Sequence, residues 1–132
     1  MIFHDWIPVP PFNDVIALKK EDGNWGRLFS SFVNGTFVII PLYLTISYMD
    51  DISIVAWKIF IFYFILTIGT ILSWWVPYIF GSPESHKKHF RKFDNTHNFL
   101  PKRGTNIIPN TLHIILHIQI WVCMIISLSY AI

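Results

Sequence analysis

Charge is scarce in this 132-residue chain: 14% of its residues are Asp, Glu, Lys or Arg, against roughly 25% in soluble domains. Hydrophobic residues make up 53% and aromatic residues 17%, a balance that excludes an ordinary water-soluble domain and fits a chain solvated by lipid. Cysteine is nearly absent. Cys123 stands alone in an apolar stretch, so a disulfide framework is excluded and the residue serves as a small hydrophobe that does not specify a redox compartment. Acidic residues are missing from every long apolar run, which argues against a proton- or cation-coupled exporter built on a membrane carboxylate. The N-terminal "MIFHDWIPVPPFNDVIALKK" lacks the basic start, long apolar centre and small-residue cleavage site of a signal peptide. The expectation is that it stays on the mature protein.

What is present are three apolar runs near the 20 residues or so that a helix needs to cross a bilayer core roughly 30 Å thick. Leu28 to Met49 carries no charge, although Asn34, Gly35, Thr36 and Pro41 interrupt it. Ile52 to Phe80 has Lys58 as its only charge, and the third run extends from Pro109 or Asn110 to Ile132. The expected fold class is an all-α integral membrane protein forming one domain. It divides into an N-terminal interfacial segment (1–27), spans at 28–49, 52–80 and 109–132, and a basic loop (81–108). Only Asp50 and Asp51 separate the first two spans, which predicts a tight antiparallel hairpin.

Orientation follows from Lys and Arg, which accumulate in short cytoplasmic loops. Lys19, Lys20 and Arg27 precede the first span; Lys87, Lys88, Arg91, Lys92, Lys102 and Arg103 fill the loop before the third; the 50–51 turn has none. The pattern predicts a cell (inner) membrane protein with its N-terminus in the cytoplasm and its C-terminus outside. Lys58 then lies near the outer end of its helix, where its stem can snorkel toward water. The prolines of "WIPVPPF" keep a span from starting there, and an extended segment with Trp6, Phe12 and Trp25 at headgroup depth is expected.

Within the loop, Ser82 offers a side-chain cap, with Pro83 at the first helical position and Glu84 in the first turn. A short interfacial helix through "HKKHFRKF" is predicted, its basic residues meeting anionic lipid headgroups or serving only as a topology anchor. "DNTHNFLPKRGTN" is rich in turn formers and is expected to be non-helical. Nucleic acid is not an expected partner.

Asn110 is a candidate N-cap, which places His113 in the first turn of the third span and His117 one turn deeper on the same face. The positive end of the helix dipole favours neutral imidazole there, suited to holding a metal ion or an anion. The H-x3-H spacing supplies two of the three or four ligands of a zinc or iron site, with His97 as a further candidate and His86 and His89 as another pair. Arg103 and Lys102 would attract an anion. The H-x2-H and H-x3-H spacings resemble in outline the histidine boxes of membrane di-iron desaturases and hydroxylases. The adjacent histidine pairs of those families are missing from a chain with six histidines in all, so membership is not assigned. Alternatively His113 and His117 are structural, hydrogen-bonded to Thr67, Thr70 or Ser73.

Gly69 and Ser73, four apart with Thr70 beside them, permit close helix approach. The polar set Asn34, Thr36, Thr70, Ser73, His113, His117 and Gln119 is better sheltered from lipid if protomers associate, so a homo-oligomer or a partner membrane subunit is expected. The leading functional expectation is a protein that binds or transports a metal ion, zinc or iron, or an anionic group. Its ligand-binding residues would be His97, Arg103, Asn110, His113 and His117, with His113, His117 and His97 as metal ligands. A membrane-embedded enzyme acting on a lipid or headgroup through histidine or a histidine-held metal is the first alternative, and a non-catalytic accessory or immunity-type subunit the second.

Overall fold

The computed structural model describes residues 3–132, and every regular element among them is helical. Helix α1 runs Val15–Ser47, α2 runs Ile52–Phe80, α3 runs Glu84–Phe90 and α4 runs Thr111–Ala131. A 3-10 turn, Arg91–Phe93, follows α3. Three of these helices, α1, α2 and α4, are long and apolar enough to cross a membrane.

The first helix begins earlier than the apolar run. Asp14 caps it, its carboxylate accepting from the Ala17 backbone N–H at 2.9 Å. At Gly23 the backbone leaves the helical region with φ of 63°, a conformation open to glycine, so the amphipathic turns before it are set off from the apolar ones after it. Gly26 is required by proximity: a Cβ there would stand 2.8 Å from the Asp22 Cβ. Pro41 lies inside α1 and has no N–H to offer the Phe37 carbonyl four residues back. The Tyr63 hydroxyl of α2 donates to that carbonyl at 3.2 Å, joining the two helices where the proline opened the ladder.

Helix α2 is capped by Asp51, which accepts from the Ile54 N–H at 3.0 Å. It is α-helical over Ile52–Thr70, widens to a π turn over Ile71–Trp75, and resumes over Val76–Phe80. Pro77 leaves the Ser73 carbonyl without its usual donor, and His86 Nε2 of α3 reaches that oxygen at 3.4 Å. The expected Ser82 cap does not form: the Pro83 carbonyl takes the first bonds of α3, from His86 and Lys87, while the buried Ser82 hydroxyl has no partner. Near the turn joining α1 to α2, Lys58 Nζ lies 4.6 Å from the centre of the Tyr48 ring, a cation–π contact that shelters its charge.

The closest helix pairing is α2 against α4, with Val55, Ala56, Thr67, Ile114, Ile120 and Ala131 buried. Polar links cross this seam: Ser53 Oγ donates to the Ala131 carbonyl at 3.2 Å, and Thr67 Oγ1 lies 3.6 Å from Met124 Sδ. Helix α1 is joined to α2 by a short turn but packs against it more sparsely. Large apolar side chains such as Phe32, Ile39, Ile65 and Ile125 point outward and are exposed, the arrangement of helices whose solvent is hydrocarbon.

The segment before α1 does not lie extended along a surface. Asn13 gathers it, donating to the His4 and Ile7 carbonyls and accepting from the Val9 N–H. Arg27, 4% exposed, donates through Nε and Nη2 to the Asp5 carbonyl and lies 4.0 Å over the Trp6 ring. Trp6 Nε1 donates to Ser31 Oγ at 2.9 Å, and the His97 N–H donates to the Pro11 carbonyl at 2.7 Å. These bonds fold the segment over the end of the bundle where α2 ends and α4 begins.

Candidate functional site

Asn110 is the N-cap of α4 and is 2% exposed. Its Oδ1 accepts from the His113 backbone N–H at 3.0 Å. The Thr96 hydroxyl donates to the Phe93 carbonyl at 2.6 Å, so it must accept from its other neighbour, Asn110 Nδ2, at 3.0 Å. That assignment fixes the amide. Oδ1, 2.7 Å from His113 Nδ1, is then an acceptor to both His113 groups, and His113 Nδ1 must carry the proton. The lone pair of His113 is left on Nε2.

His117, 1% exposed, is fixed in the opposite sense. The indole Nε1 of Trp75 lies 3.2 Å from His117 Nδ1. An indole N–H only donates, so Nδ1 accepts and the neutral ring carries its proton on Nε2. Two histidines one turn apart on α4 therefore present different chemistry, an acceptor at His113 and a donor at His117. The π turn of α2 serves both: Trp74 packs on His113 with ring centres 4.1 Å apart, while its neighbour Trp75 binds His117. π turns in α-helices are frequent at functional sites.

Between α1, α2, α4 and the N-terminal segment lies a chamber of about 210 Å³, lined by His113 and His117 together with His4, Asp5, Asp22, Ser30, Asn34, Thr70 and apolar neighbours. His4 Nε2 lies 2.8 Å from Asp5 Oδ1. Burial alone would push the Asp5 carboxyl up, but the hydrogen bond and charge of His4, with Ser30 and Lys92, hold it below its ordinary value. Asp22 is clasped by Lys92, whose Nζ lies 2.7 Å from both carboxylate oxygens. Each acid of the chamber thus has a basic partner.

Of the residues singled out from the sequence, His113, His117 and Asn110 come together. His97 does not line the chamber: its Nδ1 lies 2.7 Å from Thr111 Oγ1, which itself donates to the His97 carbonyl, and its ring packs on Phe12. Arg103 is also outside, 5.2 Å over the Tyr78 ring. The Thr67, Thr70 and Ser73 hydroxyls donate to carbonyls of their own helix, so the histidine partners are Asn110 and Trp75 instead. Among the described residues no three of His, Cys, Asp and Glu converge as a metal-ligand set. The absence of acids from the spans is a partial guide, because Asp5 and Asp22 reach the chamber from the chain ahead of the first apolar run. His4 and Asp5 escape a reading of the sequence because they are remote in it; the signals are Arg27 and Asn13, polar groups able to fasten the N-terminal segment.

Fold and chamber together define an all-helical protein with three helices of membrane-crossing length and a histidine-lined cavity at one end. Compared with protein-family models, curated proteins and solved structures, the chain gives no match.

Proposed function

We propose that this chain is a polytopic membrane protein that binds a small hydroxyl- or phosphate-bearing group in the histidine chamber. The observation that carries the proposal is the complementary pair on α4: a lone pair at His113 Nε2 and an N–H at His117 Nε2, fixed by Asn110 and Trp75. A ligand with both an O–H and an acceptor oxygen satisfies the two rings at once. The volume, about 210 Å³, suits a headgroup fragment rather than an acyl chain. Positive-inside charge supports a cytoplasmic N-terminus and, with it, an inner-face position for this end of the bundle. The basic α3 then lies at the interface among anionic headgroups. Gln119, an amide exposed on α4, supports association with a second copy or a partner subunit.

The enzymatic reading is favoured by a separate observation, the His4–Asp5 contact at 2.8 Å. A carboxylate beside an imidazole orients it, so the chamber has the parts for proton abstraction from a bound hydroxyl. A metal ion, the other ligand considered, would need both lone pairs of the α4 histidines, and His117 would have to give up its indole bond.

The test uses protein in phosphatidylcholine nanodiscs with 15N-labelled histidine, titrated with glycerol 3-phosphate and, separately, with zinc. Glycerol 3-phosphate should shift the His113 and His117 imidazole resonances, and a His113→Ala, His117→Ala protein that remains folded should not bind it. Stoichiometric zinc held by both rings would instead establish the metal reading. Undisturbed histidines in both titrations would refute the site.

A further inference from the structure

A second cavity lies outside the chamber. It is a groove of about 500 Å³ between α3 and the 94–108 loop, with Lys87, Arg91 and Lys102 as its cations, Glu84 and Asp94 as its acids, and an apolar floor that includes Phe90 and Ile107. It sits beyond the last residue of α2 and ahead of the first of α4, at the depth where apolar helices give way to polar chain. Of its charges, Arg91 is joined to Glu84 at 2.7 Å. Lys87 Nζ reaches only a hydroxyl, Thr105 Oγ1, at 3.0 Å, which leaves its charge unneutralised. The Lys102 ammonium and the Asp94 carboxylate have no side-chain hydrogen bond or ion pair among the described residues.

Uncommitted charges of opposite sign line one groove without meeting each other. A simple anion would satisfy the two lysines and be repelled by Asp94; a simple cation would do the reverse. A zwitterion whose charges are a few bonds apart meets both requirements, and the apolar floor suits the glycerol end of a lipid. We propose that this groove seats the headgroup of an amine-bearing zwitterionic phospholipid, its phosphate between Lys87 and Lys102 and its ammonium on Asp94. A primary ammonium brings N–H donors to the carboxylate, which a quaternary one does not. The proposal is independent of the histidine chamber, although Phe93 forms part of the wall of both cavities.

The experiment is native mass spectrometry of the full chain released from detergent with equal amounts of phosphatidylethanolamine, phosphatidylcholine and phosphatidylglycerol. Parallel arms contain inorganic phosphate or soluble phosphoethanolamine as competitors. Phosphatidylethanolamine should be retained preferentially. Asp94→Asn should lower its retention roughly fivefold, the scale of one exposed charge pair, and leave phosphatidylglycerol as well bound or better. Lys102→Gln should weaken both lipids. Lys88→Gln, on the same helix but outside the groove, should change neither, and the His113→Ala, His117→Ala protein should keep the preference. Asp94, Lys102 and Lys88 lie at the surface, so circular dichroism should show each variant folded. Equal retention of phosphatidylethanolamine and phosphatidylcholine would overturn the proposal, as would stronger retention of phosphatidylglycerol by the parent protein. Displacement of the lipid by inorganic phosphate at matched concentration would mark a free-phosphate site and overturn it equally.

Discussion

Asn110→Ala should be among the most damaging substitutions in the chain, because one small side chain performs three tasks. Loss of the cap on α4 costs about 1 kcal/mol. The His113 Nδ1–H, now bonded at 2.7 Å, would be left in a largely closed site without an acceptor, at a further 1–3 kcal/mol or so. Thr96 keeps its bond to the Phe93 carbonyl and adds little. The expected loss is therefore about 2–4 kcal/mol. Asn110→Asp does not rescue this: its carboxylate can still accept from both His113 groups, but at a position 2% exposed it buries a charge with no cationic partner and loses the amide donor to Thr96, so it too should be destabilised. Reversible unfolding in mixed micelles, followed by circular dichroism as the denaturing detergent is raised, gives both values. Nitrogen-15 spectra of the parent protein should show His113 protonated at Nδ1 and His117 at Nε2. An Asn110→Ala protein within about 0.5 kcal/mol of the parent, or a parent whose His113 is protonated at Nε2, would refute the argument.

Trp75→Phe should keep the aromatic packing but free His117 Nδ1, so the His117 spectrum should change from one tautomer to a mixture while His113 stays as it was; an unchanged His117 would show that the indole does not set it. Tyr63→Phe should cost about 0.6–1.7 kcal/mol in the parent and close to nothing in a Pro41→Ala background, where the substituted alanine restores a backbone donor to the Phe37 carbonyl; equal costs in a double-mutant cycle would contradict the proposed role of the tyrosine. Asp5, with its folded carboxyl held below the usual 3.8, contributes stability that is complete well above that value and drains away as pH falls below it and through the lowered folded value. Unfolding free energy should therefore decline as pH falls below about 5 in the parent and decline less in Asp5→Asn; parallel profiles would remove Asp5 from the acid response.

The helices were legible because hydropathy and length alone separate three runs of spanning size, and the cap at Asn110 followed from its position before an apolar stretch. The early start of α1 was not, because Asp14 caps a short helical stretch ahead of the apolar run, and the backbone leaves the helical region at Gly23 before the apolar turns resume it. His113 and His117 were visible as a pair at helical spacing. Of their partners Asn110 was visible as the helix cap, but Trp75 was not, nor were Thr96, which fixes the Asn110 amide, and His4 and Asp5, which line the same chamber; all four arrive through tertiary folding. Thr67 and Thr70 were reasonable partners by composition, but inside a helix a threonine hydroxyl bonds readily to the carbonyl three or four residues back, and both do so. His97 and Arg103 share a loop with the chamber wall, yet each is drawn to a nearer partner, Thr111 and the Tyr78 ring.

The difference between His113 and His117 bears on what any occupant of the chamber must look like. At i and i+4 on one face the two residues are equivalent in sequence, and equivalence suggests two identical donors to one metal ion. The environment breaks it, since one ring meets an amide oxygen and the other an indole N–H. Neutral imidazole has a single lone pair, so the ring bonded to the amide keeps its lone pair for the chamber and the ring bonded to the indole gives it up. The chamber wall then reads acceptor, donor along α4, with the Asp5 carboxylate beside His4 and the Asp22 carboxylate held by Lys92. A hydroxyl, which donates and accepts through one oxygen, or a singly protonated phosphate, which does so through neighbouring oxygens, matches that order. Reversing the order would require another acceptor at Trp75 and another donor at Asn110, so recognition is set by two residues that do not themselves line the chamber.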